Sequence, residues 1–328
     1  MTATAAETLL DGLNPQQRAA VIHAGSPLLI VAGAGSGKTR VLTHRIAYLL
    51  AERDVLPGEI MAITFTNKAA GEMAARVAQL VGPKARAMWV MTFHSACVRI
   101  LRREAKRLGY PSSFSIYDQA DSQRLMALVC RELELDARQY PPKALSTQVS
   151  NLKNELVDYE TFASRAQTHR EKALAEAYAE YQRRLNDAGA MDFDDLIMNT
   201  VFLFQAFPEV AAEYRRRFRH VLVDEYQDTN HAQYILVREL VGAHEQDKSE
   251  LCVVGDADQS IYAFRGATIR NIVEFEQDFP DARVIVLEQN YRSTQNILSA
   301  ANAVVSRNAS RKPKNLWSDQ GAGPLITG

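Results

Sequence analysis

Cysteine is scarce in this 328-residue chain: there are three, Cys97, Cys130 and Cys252. They lie far apart, without metal-ligand spacing, each within an apolar stretch. This argues against a disulfide framework or a zinc site and predicts buried free thiols in a reducing compartment. Excess charge is missing too, since 38 basic and 39 acidic residues leave a net charge of −1. With no general basic field, any binding to nucleic acid must use local patches. No apolar run approaches the ~18 residues of a membrane span. Met1 to Asp11 carry neither a positive region nor a long apolar run, so no secretory signal is expected. No internal repeat or low-complexity tract stands out. These absences predict a cytoplasmic protein without a membrane partner. A hydrophobic content of 47% fits an ordinary soluble chain with a sizeable core. The length suits about two domains at ~150 residues each.

From residue 14 to about 108, short apolar runs alternate with helical patterns. The runs are Leu28–Val31, Ile60–Thr64 and Met88–Thr92, and the helices are expected near 38–51, 67–81 and 94–108. This rhythm predicts an α/β fold with a parallel sheet flanked by helices. Between about Tyr117 and Ala188 no strand-like run is visible. Helical stretches at Gln119–Leu133, Leu145–Glu155 and Arg170–Asp187 predict an all-α insertion. The βα rhythm resumes at Asp192, with strands at His220–Asp224, Leu251–Gly255 and Val284–Leu287. Helices are expected over 193–206, 208–218, 230–243 and 268–278. Two basic clusters, Arg215, Arg216, Arg217 and Arg219, and Arg99, Arg102, Arg103, Lys106 and Arg107, read as solvated helix faces.

Two motifs carry chemistry. Ala32-Gly33-Ala34-Gly35-Ser36-Gly37-Lys38-Thr39 ends one apolar run and opens a helical pattern, the strand–loop–helix context of a phosphate-binding loop. Its glycines let backbone N–H groups close on phosphate oxygens, and the helix N-terminus adds partial positive charge. Lys38 is expected at the β/γ-phosphates and Thr39 on Mg²⁺. Ala32 stands where the general pattern has its first glycine. Downstream, Asp224-Glu225-Tyr226-Gln227-Asp228 follows an apolar strand. Two adjacent carboxylates there suit metal-assisted phosphoryl transfer, one holding Mg²⁺ and the other activating water. A plain acidic strand-to-turn junction is the alternative. A third stretch, Val254 to Gly266, again starts at a strand end, where ligands of α/β sheets bind. Gln259 there could sense a γ-phosphate, Arg265 could stabilise developing charge, and Tyr262 and Phe264 could stack on bases or simply pack in the core.

Taken in order, these stretches resemble superfamily-one DNA helicases of the UvrD/Rep/PcrA type. The resemblance implies a RecA-like P-loop NTPase with ATP and Mg²⁺ as cofactors. Leu13-Asn14-Pro15-Gln16-Gln17 looks like the family's adenine-reading motif, with Gln17 on the base. Gly33, Ala34, Gly35, Ser36, Gly37, Lys38 and Thr39 match its phosphate loop, and Arg40 falls near adenine. Phe65, Thr66 and Asn67 resemble a single-strand-contacting motif, and Thr92 with His94 another. Asp192-Phe193-Asp194-Asp195-Leu196 matches the return from the helical insertion. Asp224, with Thr39, would hold Mg²⁺; Glu225 would activate water. Gln259 matches the residue that couples the γ-phosphate to DNA, and Phe264 departs from the usual Trp. Gln289-Asn290-Tyr291-Arg292-Ser293 matches the opening of the second core domain, with Tyr291 stacking on adenine and Arg292 as an arginine finger.

The resemblance further implies domains at 1–111 (first core part), 112–191 (all-α insertion), 192–287 (second core part) and 288–328 (start of a second core domain). The intact parent would move 3′ to 5′ on single-stranded DNA and act at duplex junctions, with repair or replication proteins as unidentified partners. The chain reads as an N-terminal portion that binds Mg·ATP and single-stranded DNA without unwinding and turns over weakly, since arginine fingers supply roughly 10³–10⁵ in rate. Within the insertion, Asn151 and Lys153 are candidate DNA contacts. Two other readings stay open: a non-catalytic ATP- and DNA-binding module, and a P-loop kinase or transporter-type ATPase.

Overall fold

The computed structural model describes residues 5–243, 247–260, 270–273, 275–307 and 313–326. By compactness these form two units. The first comprises Met1–Thr92, Ala212–Thr229 and Leu240–Gly328; the second comprises Phe93–Ala211 and Asn230–Glu239.

The first unit is built on a six-stranded sheet. Its strands are β1 (Leu28–Ala32), β2 (Ile60–Thr64), β3 (Trp89–Thr92), β6 (His220–Val223), β7 (Glu250–Gly255) and β8 (Arg283–Leu287). Their order is β3-β2-β6-β7-β1-β8, and every pairing is parallel. All residues of β1, β2 and β6 are buried. Side chains alternate between faces along a strand, so complete burial means that both faces are covered. The two outer strands, β3 and β8, are only partly buried, as edges should be. Helices Lys38–Glu52 and Asn67–Val81 make the crossovers from β1 to β2 and from β2 to β3. Their apolar stripes supply Val41, Leu42, Ile46, Leu49, Met73 and Val77 to a core shared with Leu28, Ile30, Ile60 and Val254. This is the RecA-like α/β arrangement expected from the sequence. Because all six strands run the same way, the segments after β1, β2, β3, β6, β7 and β8 emerge at one edge of the sheet.

The second unit has its own core around Met126, Val129, Leu145, Tyr178 and Leu185. Helices Gln119–Glu132, Pro142–Asn154 and His169–Asp187 lie within three residues of the expected stretches at each end. Side chains fix the starts of several helices. Asp118, Thr168 and Asp192 each accept the N–H three residues on, and the residue there bonds back. Two features went unseen in the sequence. One is a short helix, Tyr159–Arg165. The other is a two-stranded parallel sheet of β4 (Ser115–Tyr117) and β5 (Ala190–Asp192), which bounds the helical stretch. Three-residue strands paired across a whole helical segment leave no alternating pattern to read.

The Lys153 expectation is corrected. Lys153 is fully buried, with Nζ 2.7 Å from Asp192 and 2.8 Å from Asp195. Burial would lower its pKa, but the two carboxylates outweigh that and hold it well above the ordinary lysine range. It is a core cation that cannot reach DNA. The basic clusters also do more than face solvent. The Arg102 guanidinium lies 3.9 Å from the Phe114 ring centroid, and Arg217 lies 4.9 Å from those of Trp89 and Phe218.

Candidate functional site

The loop after β1 turns on Gly35 (φ 68°) and Gly37 (φ 84°), both in the left-handed region that glycine enters without strain. Ser36 closes it, its hydroxyl donating to the Gly33 carbonyl at 2.8 Å. The helix then starts at Lys38 with no acidic residue in its first turn, so no carboxylate of its own offsets its N-terminal positive field.

This loop forms one wall of a cavity of about 540 Å³, to which Ala34, Gly35, Gly37, Lys38, Thr39 and Arg40 contribute. Glu225, Gln259, Tyr291 and Arg292 line the rest, as does Arg76, which sequence reading did not single out. Only the sheet topology, which sets the helix Asn67–Val81 beside this edge, could have revealed Arg76. Lys38 Nζ lies 3.5 Å from Glu225 Oε2. Glu225 itself sits at φ 49° and ψ 44°, a left-handed conformation uncommon for a residue with a side chain. Such strain clusters at functional sites. Next to it, Asp224 is 6% exposed. Burial, with the neighbouring Glu225 charge, pushes its carboxyl up to about 6. Asp228 is likewise raised to about 6 by burial and the Glu225 charge.

Gln227 ties this box to the next strand. Its Nε2 donates to Glu225 Oε2 at 2.8 Å, and its Oε1 accepts the Asp256 N–H at 2.9 Å. The stretch after β8 docks on the phosphate loop. Asn290 Nδ2 donates to the Ala34 carbonyl at 2.5 Å, and the Tyr291 N–H donates to the Gly35 carbonyl at 2.9 Å. Asn290 Oδ1 accepts the N–H groups of Arg292 and Ser293, both at 2.7 Å, which turns Arg292 toward the cavity it lines. The Tyr291 ring is 40% exposed, and its hydroxyl accepts from Asn14 Nδ2 at 3.0 Å.

Gln17 is fully buried and both ends of its amide are engaged. Nε2 donates to the Ser36 carbonyl at 3.0 Å, and Oε1 accepts the Asn14 N–H at 3.1 Å. In this arrangement it braces the phosphate loop and does not line the cavity.

Thr39 and Asp224 offer hard oxygen donors suited to Mg²⁺. Among the described residues, no group of three or more His, Cys, Asp or Glu side chains could hold a metal alone.

The expected DNA-facing residues of the first unit share the same sheet edge. Phe65, half-buried, follows β2; Thr66 caps the next helix, accepting the Ala69 N–H at 3.1 Å; and Asn67 is exposed. Thr92 ends β3, paired in register with Thr64. In the second unit, His94 stands edge-on to Phe193, with ring centroids 5.5 Å apart. Burial lowers its pKa. Phe193 is 46% exposed, an aromatic that sequence reading left without a role of its own. Tyr262, Phe264 and Arg265 lie outside the described residues.

Among the described residues no helix is long and apolar enough to cross a membrane. Comparison with known proteins gives a consistent result. A family model described as the UvrD/REP helicase N-terminal domain matches residues 13–280. The chain is 66% identical over 330 residues to the ATP-dependent DNA helicase UvrD1 of Mycobacterium tuberculosis (strain ATCC 25618 / H37Rv), covering 98% of this chain and 43% of that protein. It is 52% identical over 319 residues to the ATP-dependent DNA helicase PcrA of Bacillus subtilis (strain 168), covering 97% of this chain and 43% of that protein. The chain thus spans less than half the length of these relatives.

Proposed function

The chain belongs to the UvrD/REP helicase family, and from that premise we propose that it is the ATP-binding, DNA-contacting portion of an ATP-dependent DNA helicase. The observation that carries this reading is the Lys38–Glu225 pair, set across a cavity also lined by Gln259 and Arg292.

The proposed roles are as follows. The loop amides of 33–37 and the Lys38 ammonium bind phosphate oxygens. Thr39 and Asp224 would hold Mg²⁺, which when bound screens charge on the phosphates. Glu225 orients the attacking water and takes its proton. Gln259 and Arg292 face the terminal phosphoryl group, where a cationic side chain stabilises spreading negative charge. To Arg40, Arg76 and Tyr291, which line the same cavity, we assign contacts with the base and ribose. Arg265 keeps its assigned role as a further charge-stabilising residue. Phe65, Thr66, Asn67, Thr92 and His94 contact single-stranded DNA, with Tyr262 and Phe264 as base-stacking aromatics.

The domain assignment is part of the same proposal: a core domain in two parts, 1–111 and 192–287, an inserted domain at 112–191, and the start of a second core domain from 288. The parent translocates 3′ to 5′ on single-stranded DNA in the cytoplasm, acts at duplex junctions, and meets repair or replication proteins there. On its own this chain binds Mg·ATP and single-stranded DNA, turns ATP over weakly and does not separate strands.

The test is Mg²⁺-dependent ATP hydrolysis with and without single-stranded DNA, beside Lys38→Ala. DNA-stimulated turnover that disappears in the variant supports a motor enzyme. ATP binding without any turnover, in this chain and in the full-length protein alike, would leave a non-catalytic module.

A further inference from the structure

Lys314 is almost wholly buried, at 4% side-chain exposure, and lies between two carboxylates. Its Nζ is 2.5 Å from Asp256 Oδ1 and also pairs with Asp258 Oδ2. Asp256 and Asp258 are themselves only 2% and 6% exposed. The remaining oxygen of Asp256, Oδ2, accepts a hydrogen bond from Gln259 Nε2 at 2.5 Å. Gln259 in turn lines the cavity that holds Lys38 and Glu225.

We infer that Lys314 is a positioning residue for the nucleotide site, acting through Asp256 to set the orientation of Gln259. This rests on the reading of the cavity as an ATP site. An ionised carboxylate only accepts hydrogen bonds, so Asp256 must meet the amino end of the Gln259 amide. The carbonyl oxygen of Gln259 is then the end not spent on Asp256. A carbonyl accepts a hydrogen bond from water and repels an anionic phosphoryl oxygen, so the choice of end is a chemical choice. Asp256 can enforce it only while its own rotamer is fixed. Lys314 fixes one oxygen, and the Asp258 N–H donates to that same oxygen at 3.0 Å.

The 313–317 segment that carries Lys314 is itself held to the stretch after β8 and packs on the phosphate loop. The Asn315 N–H donates to Glu288 Oε1 at 2.6 Å, and the Trp317 carbonyl accepts the Asn290 N–H at 2.8 Å. Leu316 packs on Gly33 so closely that a Cβ there would overlap it. A shift of this segment would therefore be felt at Gln259 through one buried ion pair. A buried lysine is costly unless paired.

The experiment measures the ratio of ATP to ADP affinity by fluorescent-nucleotide titration for the chain and for Lys314→Met, Gln259→Ala and the double variant, with thermal unfolding alongside. The expected result is a shift of the ratio by about tenfold in Lys314→Met, the worth of one charge-assisted hydrogen bond, with ADP affinity within about twofold. No further shift is expected when Lys314→Met is added to Gln259→Ala. Lys314→Arg should restore most of the ratio. An unchanged ratio, a parallel fall of ATP and ADP affinity, or full additivity would each overturn the inference. Should Lys314→Met fail to fold, Lys314→Gln carries the same comparison. If the unaltered chain binds neither nucleotide, the ATP reading itself falls, and this inference with it.

Discussion

Gln227 holds Glu225 from one side: its Nε2 donates to Glu225 Oε2 at 2.8 Å, while Lys38 Nζ stands 3.5 Å from the same oxygen. Its other amide end accepts the Asp256 N–H. One side chain thus spans the ends of β6 and β7. Gln227→Ala removes the neutral anchor and leaves the Glu225 carboxylate to the lysine alone. Turnover should fall roughly 10–100-fold with ATP affinity little changed, because the lost hydrogen bond orients the base without touching nucleotide. Steady-state ATPase measurements check this. An unaltered kcat would remove Gln227 from the site.

Glu225→Gln keeps shape and hydrogen-bonding capacity but loses the proton acceptor. ATP affinity should hold, or rise slightly as the Lys38 ion pair is released, while hydrolysis drops by about 10²–10⁴. Nucleotide titration and single-turnover hydrolysis separate the two effects. Equal turnover in the variant would mean that another group activates the water.

Most of the sheet was legible because buried parallel strands are continuous apolar runs between helices with 3.6-residue periodicity. Leu28–Ala32 and Ile60–Thr64 are such runs, and they lie where the sequence places them. The phosphate loop and the Asp-Glu box were legible because their chemistry is local. What stayed hidden depends on contacts distant in sequence. Arg76 reaches the cavity only because its helix packs at that sheet edge. Lys153 read as a surface cation because its partners, Asp192 and Asp195, come from another element. The bracing of the phosphate loop by Gln17, through its bonds with Ser36 and Asn14, is likewise a fact no local pattern encodes.

The buried Lys153 makes a second kind of prediction. Lys153→Met removes the cation and strands Asp192 and Asp195 in the core. Breaking a buried pair in this way costs about 3–5 kcal/mol. Thermal or denaturant unfolding should show that loss in the second unit, while single-strand affinity at temperatures well below the transition changes little. A variant with unaltered stability but weakened DNA binding would restore the surface reading of Lys153.

Glu250 tests the other end of the sheet, away from the nucleotide cavity. At the start of β7 it takes two hydrogen bonds from Arg53, at 3.0 and 2.9 Å, and lies 3.6 Å from Arg45 and 3.5 Å from His220. Burial alone would raise its pKa. The adjacent His220 imidazole and the hydrogen bonds from Arg53 outweigh that and hold it well below the usual carboxylate range. A carboxylate depressed in the folded state contributes stability above its unfolded pKa and loses it as pH falls through the folded one. Glu250→Gln should therefore cost about 1–3 kcal/mol at pH 7, with the lower part of that range reflecting solvent screening of a partly exposed group. The difference between variant and parent should narrow steadily below about pH 4.5, where the unfolded carboxylate takes up its proton. Denaturant unfolding at pH 7, 5 and 4 follows the effect. A gap that stays constant down to pH 4 and below would mean that Glu250 acts through packing and not through its charge, since only the ionised form can hold Arg45 and Arg53 in place.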